Sequence, residues 1–341
     1  INSGWYILGD RLKRFESEYA SYNDVAFCIG LGNGLDALVL GLKALNIGPG
    51  DEVIVPSNTY IASWLAVSYV GATIVPVEPN IETYNINAQL IEAKITMRTR
   101  VIMPVNLYGQ AAELDKIDEL AKKYNLFVIE DNAQSQGASC QGKLTGSFGQ
   151  INATSFYPGK NLGCLGDGGA ITTNNPALAE KVEILRNYGS PKKYYNTVKG
   201  HNSRLDELQA AFLSVKLREL NNDNAKRIVA AQWYNEALHG VGDLILPKIA
   251  PGCTSVYHLY VIRTARRDEM QKFLAKNNVG SVIHYPTPPH LQEAYRDLAY
   301  KKGDFPIAEE IADTCLSLPI WPSIESTQVL DIAEKIKLFF K

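Results

Sequence analysis

Leu126–Glu130 reads LFVIE, an apolar run that closes on the carboxylate pair Glu130–Asp131. An unbroken apolar run of this length, without polar alternation, is the pattern of a strand buried on both faces. Runs of the same kind flank it. Glu52–Pro56 (EVIVP), Thr73–Val77 (TIVPV) and Val101–Val105 (VIMPV) precede it, and Ala170–Thr173 (AITT) follows. Each is bounded by Gly, Pro or polar residues. Between them lie Leu35–Leu45 and Ala112–Tyr124, whose apolar residues recur at the three- and four-residue spacing of helices. Buried strands alternating with helices predict an α/β fold, with a mostly parallel central sheet covered by helices on both faces.

The pattern changes further along the chain. A helical region with breaks is expected from Ser203 to Leu238, and its opening, SRLDELQAAFLSVKL, puts Leu205, Leu208, Ala211, Phe212 and Val215 on one side. Asn202 or Ser203 reads as its N-cap, with Asp206 or Glu207 in the first turn. Ser255–Arg263 and Ser281–Tyr285 read as strands, and Asp268–Asn277, Ile307–Leu316 and Gln328–Phe340 as helices. This predicts a large domain over residues 1–217 and a smaller C-terminal α+β domain over residues 218–341.

With 341 residues, 46% of them hydrophobic, the chain can bury a large core. A formal net charge of -2 gives no basis for a nucleic-acid or acidic-membrane partner. The five cysteines (Cys28, Cys140, Cys164, Cys253, Cys315) form no CxxC pair. Their scatter suits reduced thiols in a cytoplasmic protein and offers no metal-ligand spacing. No signal-peptide pattern or bilayer-length apolar stretch is present. The chain opens on Ile1, so a short preceding segment is expected.

Four stretches carry chemistry. Ser155–Ala170, SFYPGKNLGCLGDGGA, places Lys160 in a turn among five glycines, which allow left-handed turns and let backbone approach a bulky ligand. A buried lysine there can lose its proton and condense with an aldehyde. Phe127–Ala138, FVIEDNAQSQGA, carries Asp131 past a strand's carboxyl end, where ligands sit in open α/β sheets. The carboxylate can pair with a protonated ring nitrogen or simply cap the next helix. Ile29–Leu45, IGLGNGLDALVLGLKAL, runs Gly-rich backbone into a helix N-terminus suited to phosphate, although no P-loop lysine follows. Pro56–Trp64, PSNTYIASW, offers an aromatic that either stacks on a flat ring or belongs to the core.

Taken in order, PSNTYIA, EDNAQSQGA, SFYPGKNLGCLGDGGA, GHNSRLDELQAA and HYPTPPHLQ resemble the DegT/StrS family of nucleotide-sugar aminotransferases, fold-type-I enzymes that use pyridoxal 5'-phosphate. The resemblance spans the numbered chain from SGWYILG at Ser3 to the C-terminal helix. It implies that Lys160 holds the cofactor aldehyde, Asp131 pairs with the pyridine nitrogen, Gln134 approaches the ring hydroxyl and Tyr60 stacks on the ring. Gly34, Leu35 and Ser155 would hold the phosphate. Asn202 would reach the phosphate in the neighbouring subunit, so a homodimer would share its active sites. Arg204, His284 and Tyr285 match sugar-facing positions, and Trp5 and Tyr6 are sugar-side candidates by position.

Three departures stand out. Leu35 replaces a common Thr, so backbone amides must serve the phosphate. Asn106 and Gln136 each stand where His is usual, removing an ionisable group. The resemblance implies transfer of an amino group from L-glutamate to a nucleotide-linked keto sugar. The GNGLDAL form of the third stretch is similar to that of members acting at C3, on dTDP-3-keto-6-deoxyhexoses. A subgroup with His for the lysine performs dehydration, and Lys160 favours transamination. A non-catalytic PLP or sugar sensor, or an α/β binding protein without PLP, are the other readings. Regulators on this fold usually carry a DNA-binding extension, and no helix-turn-helix or basic stretch is found.

Overall fold

The computed structural model describes Asn2 and residues 4–341. In chain order the elements are α1 (Asp10–Tyr22), β1 (Phe27–Leu31), α2 (Gly34–Ala44), β2 (Glu52–Pro56), α3 (Ile61–Tyr69), β3 (Thr73–Val77), α4 (Ala88–Ile91), β4 (Thr99–Ile102), α5 (Leu114–Tyr124) and β5 (Phe127–Asp131). They continue with β6 (Ser139–Cys140), β7 (Lys143–Leu144), β8 (Ile151–Ser155), β9 (Gly169–Thr173), α6 (Pro176–Arg186), α7 (Glu207–Leu217) and α8 (Leu220–Leu238). The last are β10 (Tyr260–Arg263), α9 (Arg267–Lys276), α10 (Pro306–Thr314), β11 (Cys315–Leu318) and α11 (Ser326–Phe339).

Seven strands form the central sheet in the order β1-β9-β8-β5-β4-β2-β3. The pairs β2–β3, β2–β4, β4–β5 and β5–β8 are parallel, and β9 runs antiparallel to both of its neighbours. The apolar runs bury both faces because successive side chains point opposite ways. Val53, Val55, Val101 and Ile129 pack with α2, α3 and α6, whereas Ile54, Ile102 and Val128 pack with Leu114, Ile117 and Ala121 of α5. At the β1 edge, Cys28 and Ala170 face a third cluster with Leu12 and Phe15 of α1 and Leu213 of α7. A separate core joins Tyr234 of α8, Tyr260 and Ile262 of β10, Leu274 of α9, Leu316 of β11 and Ile336 of α11.

Several expectations need correction. The expected strand Ser255–Arg263 is a strand only from Tyr260, because its first residue, Ser255, bridges instead to Gln110, between β4 and α5. Ser281–Tyr285 is not a strand; only Val282 bridges, to Ser317. The expected helix Ile307–Leu316 stops at Thr314, and Cys315–Leu318 pairs with β10, satisfying backbone groups that a helix end would leave open. The N-cap before the long helical region is neither Asn202 nor Ser203. It is Asp206, whose carboxylate accepts the amides of Leu208 and Gln209. The apolar side expected for α7 is largely outward. Leu208, Phe212 and Val215 are exposed, while Ala210, Leu213 and Leu217 face inward.

Candidate active site

Five strand ends converge on one cavity of about 640 Å³. The chain leaving β1 supplies Gly34 and Leu35, that leaving β2 supplies Thr59, Tyr60 and Ser63, β4 leads to Val105, β5 ends in Asp131 and leads to Gln134, and β8 ends in Ser155 and leads to Lys160. Because these strands point the same way, their carboxyl ends open on one crevice. His258, His284 and Tyr285, from the C-terminal part, close the other side.

Asp131 is fully enclosed. Its Oδ1 accepts the amide of Ala133 at 3.1 Å, and its Oδ2 accepts the Ser63 hydroxyl at 2.9 Å. Burial raises its pKa, and the two donors and the Lys160 charge oppose that rise. No helix follows Asp131, so the helix-capping reading fails: one oxygen closes a turn at Ala133, and the other is held by a side chain from α3. Burial lowers the Lys160 amine to about 8, against an upward pull from Asp131. Lys160 is thus partly neutral near physiological pH, as a nucleophile or base must be.

The glycines beside Lys160 act by close approach. None of the five between 159 and 169 has a positive φ, contrary to the expected left-handed turns. A Cβ at Gly169 would lie 2.4 Å from the Asn33 carbonyl oxygen. Asn33 is the N-cap of α2, its side chain accepting the amide of Asp36 at 2.8 Å. Across this junction a Cβ on Gly34 would lie 2.6 Å from that of Ser155. The first amides of α2 and the Ser155 hydroxyl therefore share a bare niche at a helix N-terminus, with the partial positive potential that holds phosphate.

On the opposite wall the Gln134 side-chain amide donates to the Tyr285 hydroxyl at 3.1 Å, and its oxygen accepts the amide of Tyr108 at 2.7 Å. Tyr60 packs on Tyr285 with ring centroids 5.2 Å apart and remains half exposed. His284 Nδ1 lies 2.8 Å from the Ser317 hydroxyl.

Nine of the residues singled out from sequence line this cavity: Gly34, Leu35, Tyr60, Asp131, Gln134, Ser155, Lys160, His284 and Tyr285. Three do not. Asn202 lies exposed beyond α6, Arg204 donates to Asn187 at 2.8 Å, and Tyr6 lines a separate hollow beside α7 with Trp5. Sequence reading missed Ser63 and His258. Ser63, in α3, meets the hydroxyl of Thr59, which precedes that helix, at 3.0 Å. The two departures from histidine fall outside the cavity wall. Asn106 donates to Glu130 at 2.7 Å and accepts the amide of Ala112 at 2.8 Å. Gln136 donates to the Ser155 carbonyl at 2.9 Å. Both are hydrogen-bonding struts, and burial pushes the Glu130 that Asn106 supports up to about 7.

A family described as the DegT/DnrJ/EryC1/StrS aminotransferases matches residues 1–337. A dTDP-3-amino-3,6-dideoxy-alpha-D-galactopyranose transaminase of Aneurinibacillus thermoaerophilus is 52% identical over 339 residues, covering 99% of this chain and 93% of the relative. A dTDP-3-amino-3,4,6-trideoxy-alpha-D-glucose transaminase of Streptomyces venezuelae is 48% identical over 337 residues, covering 99% and 89%. Among solved structures, S. venezuelae DesV in complex with a ketimine intermediate superposes with a TM-score of 0.98 at 47% identity, covering 100% of this chain and 92% of that one.

Proposed function

We propose, from the premise that the chain belongs to the DegT/DnrJ/EryC1/StrS aminotransferase family, that it moves the amino group of L-glutamate to C3 of a dTDP-linked 3-keto-6-deoxyhexose. The chain is an aminotransferase acting in nucleotide amino-sugar biosynthesis, and pyridoxal 5'-phosphate is its cofactor. The observation that carries the reading is the meeting of Lys160 and Asp131, each biasing the other's charge, in a cavity that also holds the bare niche between Gly34 and Ser155.

That niche and the enclosed carboxylate fit the cofactor. The amides of Gly34 and Leu35 and the Ser155 hydroxyl would take its phosphate, Asp131 its ring nitrogen, Gln134 its ring hydroxyl and Tyr60 one face of its ring. When bound, it supplies an aldehyde that captures amines and a ring that accepts the electrons left when a neighbouring C–H bond breaks. Asp131 stabilises a protonated ring nitrogen because opposite charges in a desolvated site favour each other's ionised state. Lys160 would hold the aldehyde, and its free amine would take the proton at the donor's α-carbon. Its lowered pKa leaves enough neutral amine for that work. Two half-reactions at one site predict ping-pong kinetics.

His284 and Tyr285 line the cavity, and we assign them to the sugar. Asn202, Arg204 and Tyr6 lie outside the cavity of their own chain, and we assign them to a site shared with a second copy. The exposed apolar stripe Leu208, Phe212 and Val215 on α7 supports a homodimer, since its neighbour Leu165 is also exposed and belongs to the loop that carries Lys160. We place the domain boundary between residues 217 and 218, where the turn from α7 to α8 leads into the separate C-terminal core. No helix among the described residues is long and apolar enough to cross a membrane. With free cysteines throughout, a cytoplasmic enzyme is the reading adopted.

Incubation with glutamate, pyridoxal phosphate and a panel of dTDP- and UDP-keto sugars tests the proposal. The expected product, identified by mass and NMR, is a dTDP sugar with nitrogen at C3. Deoxygenation without gain of nitrogen would make the chain a dehydratase, and amination at C4 would overturn the assigned position.

A further inference from the structure

His258 stands in the cavity wall with no part in the roles above, beside Asp131, Lys160 and His284. Its backbone is pinned from several sides. The amide of Val256 donates to the Gly109 carbonyl at 2.8 Å, and that of Leu259 to the Tyr108 carbonyl at 3.1 Å. The Asn161 side chain, next to Lys160, donates to the Val256 carbonyl at 3.1 Å. From α8, the buried Arg227 guanidinium donates to the carbonyls of Tyr257 and Ile320, each at 3.3 Å. Gly109 is required there: it has φ +99, and a Cβ on it would lie 2.5 Å from the His258 amide nitrogen. Three parts of the chain thus converge to hold one imidazole at the cavity.

The ring makes no hydrogen bond among the described residues. Its Nδ1 is enclosed without a partner, whereas Nε2 is not sealed and belongs to a ring that lines the cavity. A purely structural buried histidine normally satisfies its nitrogens. An enclosed N–H without a partner is rarer than an enclosed bare acceptor, so the single proton belongs on Nε2. Burial, with Lys160, Arg227 and His284 nearby, holds the imidazole well below its usual pKa and so keeps it neutral.

We propose that His258 contacts substrate, its Nε2–H donating a hydrogen bond to a substrate oxygen beside the carbon that loses or gains nitrogen. That oxygen is the α-carboxylate of the amino donor or a carbonyl or hydroxyl oxygen of the keto sugar. The assignment deepens the aminotransferase reading and rests on it. A neutral donor suits the place: it orients an oxygen without setting a second cation beside Lys160.

The test uses the holoenzyme and three substitutions. His258→Phe fills the space without an N–H. His258→Gln places an amide N–H near the Nε2 position, and His258→Asn places one near Nδ1. Cofactor content, melting temperature and the affinity for glutarate, an unreactive dicarboxylate, are measured beside single-turnover rates of the glutamate and sugar half-reactions. His258→Phe should keep its cofactor and lose about tenfold or more in at least one half-reaction, with His258→Gln recovering most of it. Loss confined to the glutamate arm, with weaker glutarate binding, assigns the carboxylate. Loss confined to the sugar arm assigns the sugar oxygen. Wild-type rates in both arms for His258→Phe overturn the proposal. If His258→Phe does not fold, the amide pair decides: Gln near wild type with Asn impaired upholds it, and the reverse order, or equal rates, overturns it. A wild-type enzyme that aminates no sugar would instead remove the proposed function, and the glutamate arm would still report on His258.

Discussion

Lys160 and Asp131 act on each other at the scale of single residues. Burial lowers the lysine to about 8 and raises the carboxyl, while each charge resists the other's shift. The neutral amine is the nucleophile, so the protein freed of cofactor should capture pyridoxal phosphate faster as pH rises and level off above about 8. A lysine in water would go on gaining to beyond 10. Asp131→Asn removes a charge that holds the proton on Lys160, so the midpoint should move to lower pH. Stopped-flow absorbance across a pH series measures both, and a midpoint that is unmoved or rises in the variant would contradict the coupling. Lys160 and Asp131 were legible in the residues themselves, a lysine among glycines and a carboxylate past a strand's end, and Gln134 and Ser155 only through the family resemblance. Ser63 and His258 were not. Their contacts to Asp131 and to the cavity wall join segments 68 or more residues apart, which no local spacing reveals.

Elements hold the site by their ends. The start of α1 depends on Glu207 of α7, whose carboxylate accepts the amides of Gly9 at 2.8 Å, Arg11 at 2.9 Å and Leu12 at 3.1 Å. A helix N-terminus has no internal partners for these donors, and an acidic group there also meets the helix dipole favourably. Glu207→Ala should therefore cost about 3 kcal/mol of stability and speed proteolysis near residue 10, with Glu207→Gln costing less. Urea unfolding checks this, and a loss below about 0.5 kcal/mol would show that water replaces the carboxylate. Five strands of the large sheet could be read from the chain to within a few residues because apolar residues at both parities leave no other use for those runs, whereas β1 was not among them. Cys315–Leu318 could not, since CLSL continues an apolar helical period and becomes a strand only because β10 offers it an edge. The outward face of α7 was misread for a related reason: periodicity finds an apolar stripe but not what covers it.

For the whole molecule, that stripe is where a second copy is expected to cover Leu208, Phe212 and Val215. Phe212→Glu should release a monomer of 37.6 kDa in sedimentation velocity, with lower cofactor occupancy because Asn202 no longer reaches its neighbour. A variant that stays dimeric with full occupancy would place the interface elsewhere. The proposed division into a parallel-sheet part and a smaller C-terminal part rests on a change of pattern near α7, whereas the closing of the cavity by His258, His284 and Tyr285 required the fold. The most direct test of the whole account is chemical: load the protein with pyridoxal phosphate, reduce with borohydride, digest, and locate the phosphopyridoxyl group by mass spectrometry. The account predicts one modified peptide, labelled at Lys160 and absent from Lys160→Ala. A label on any other lysine, or none, would contradict it.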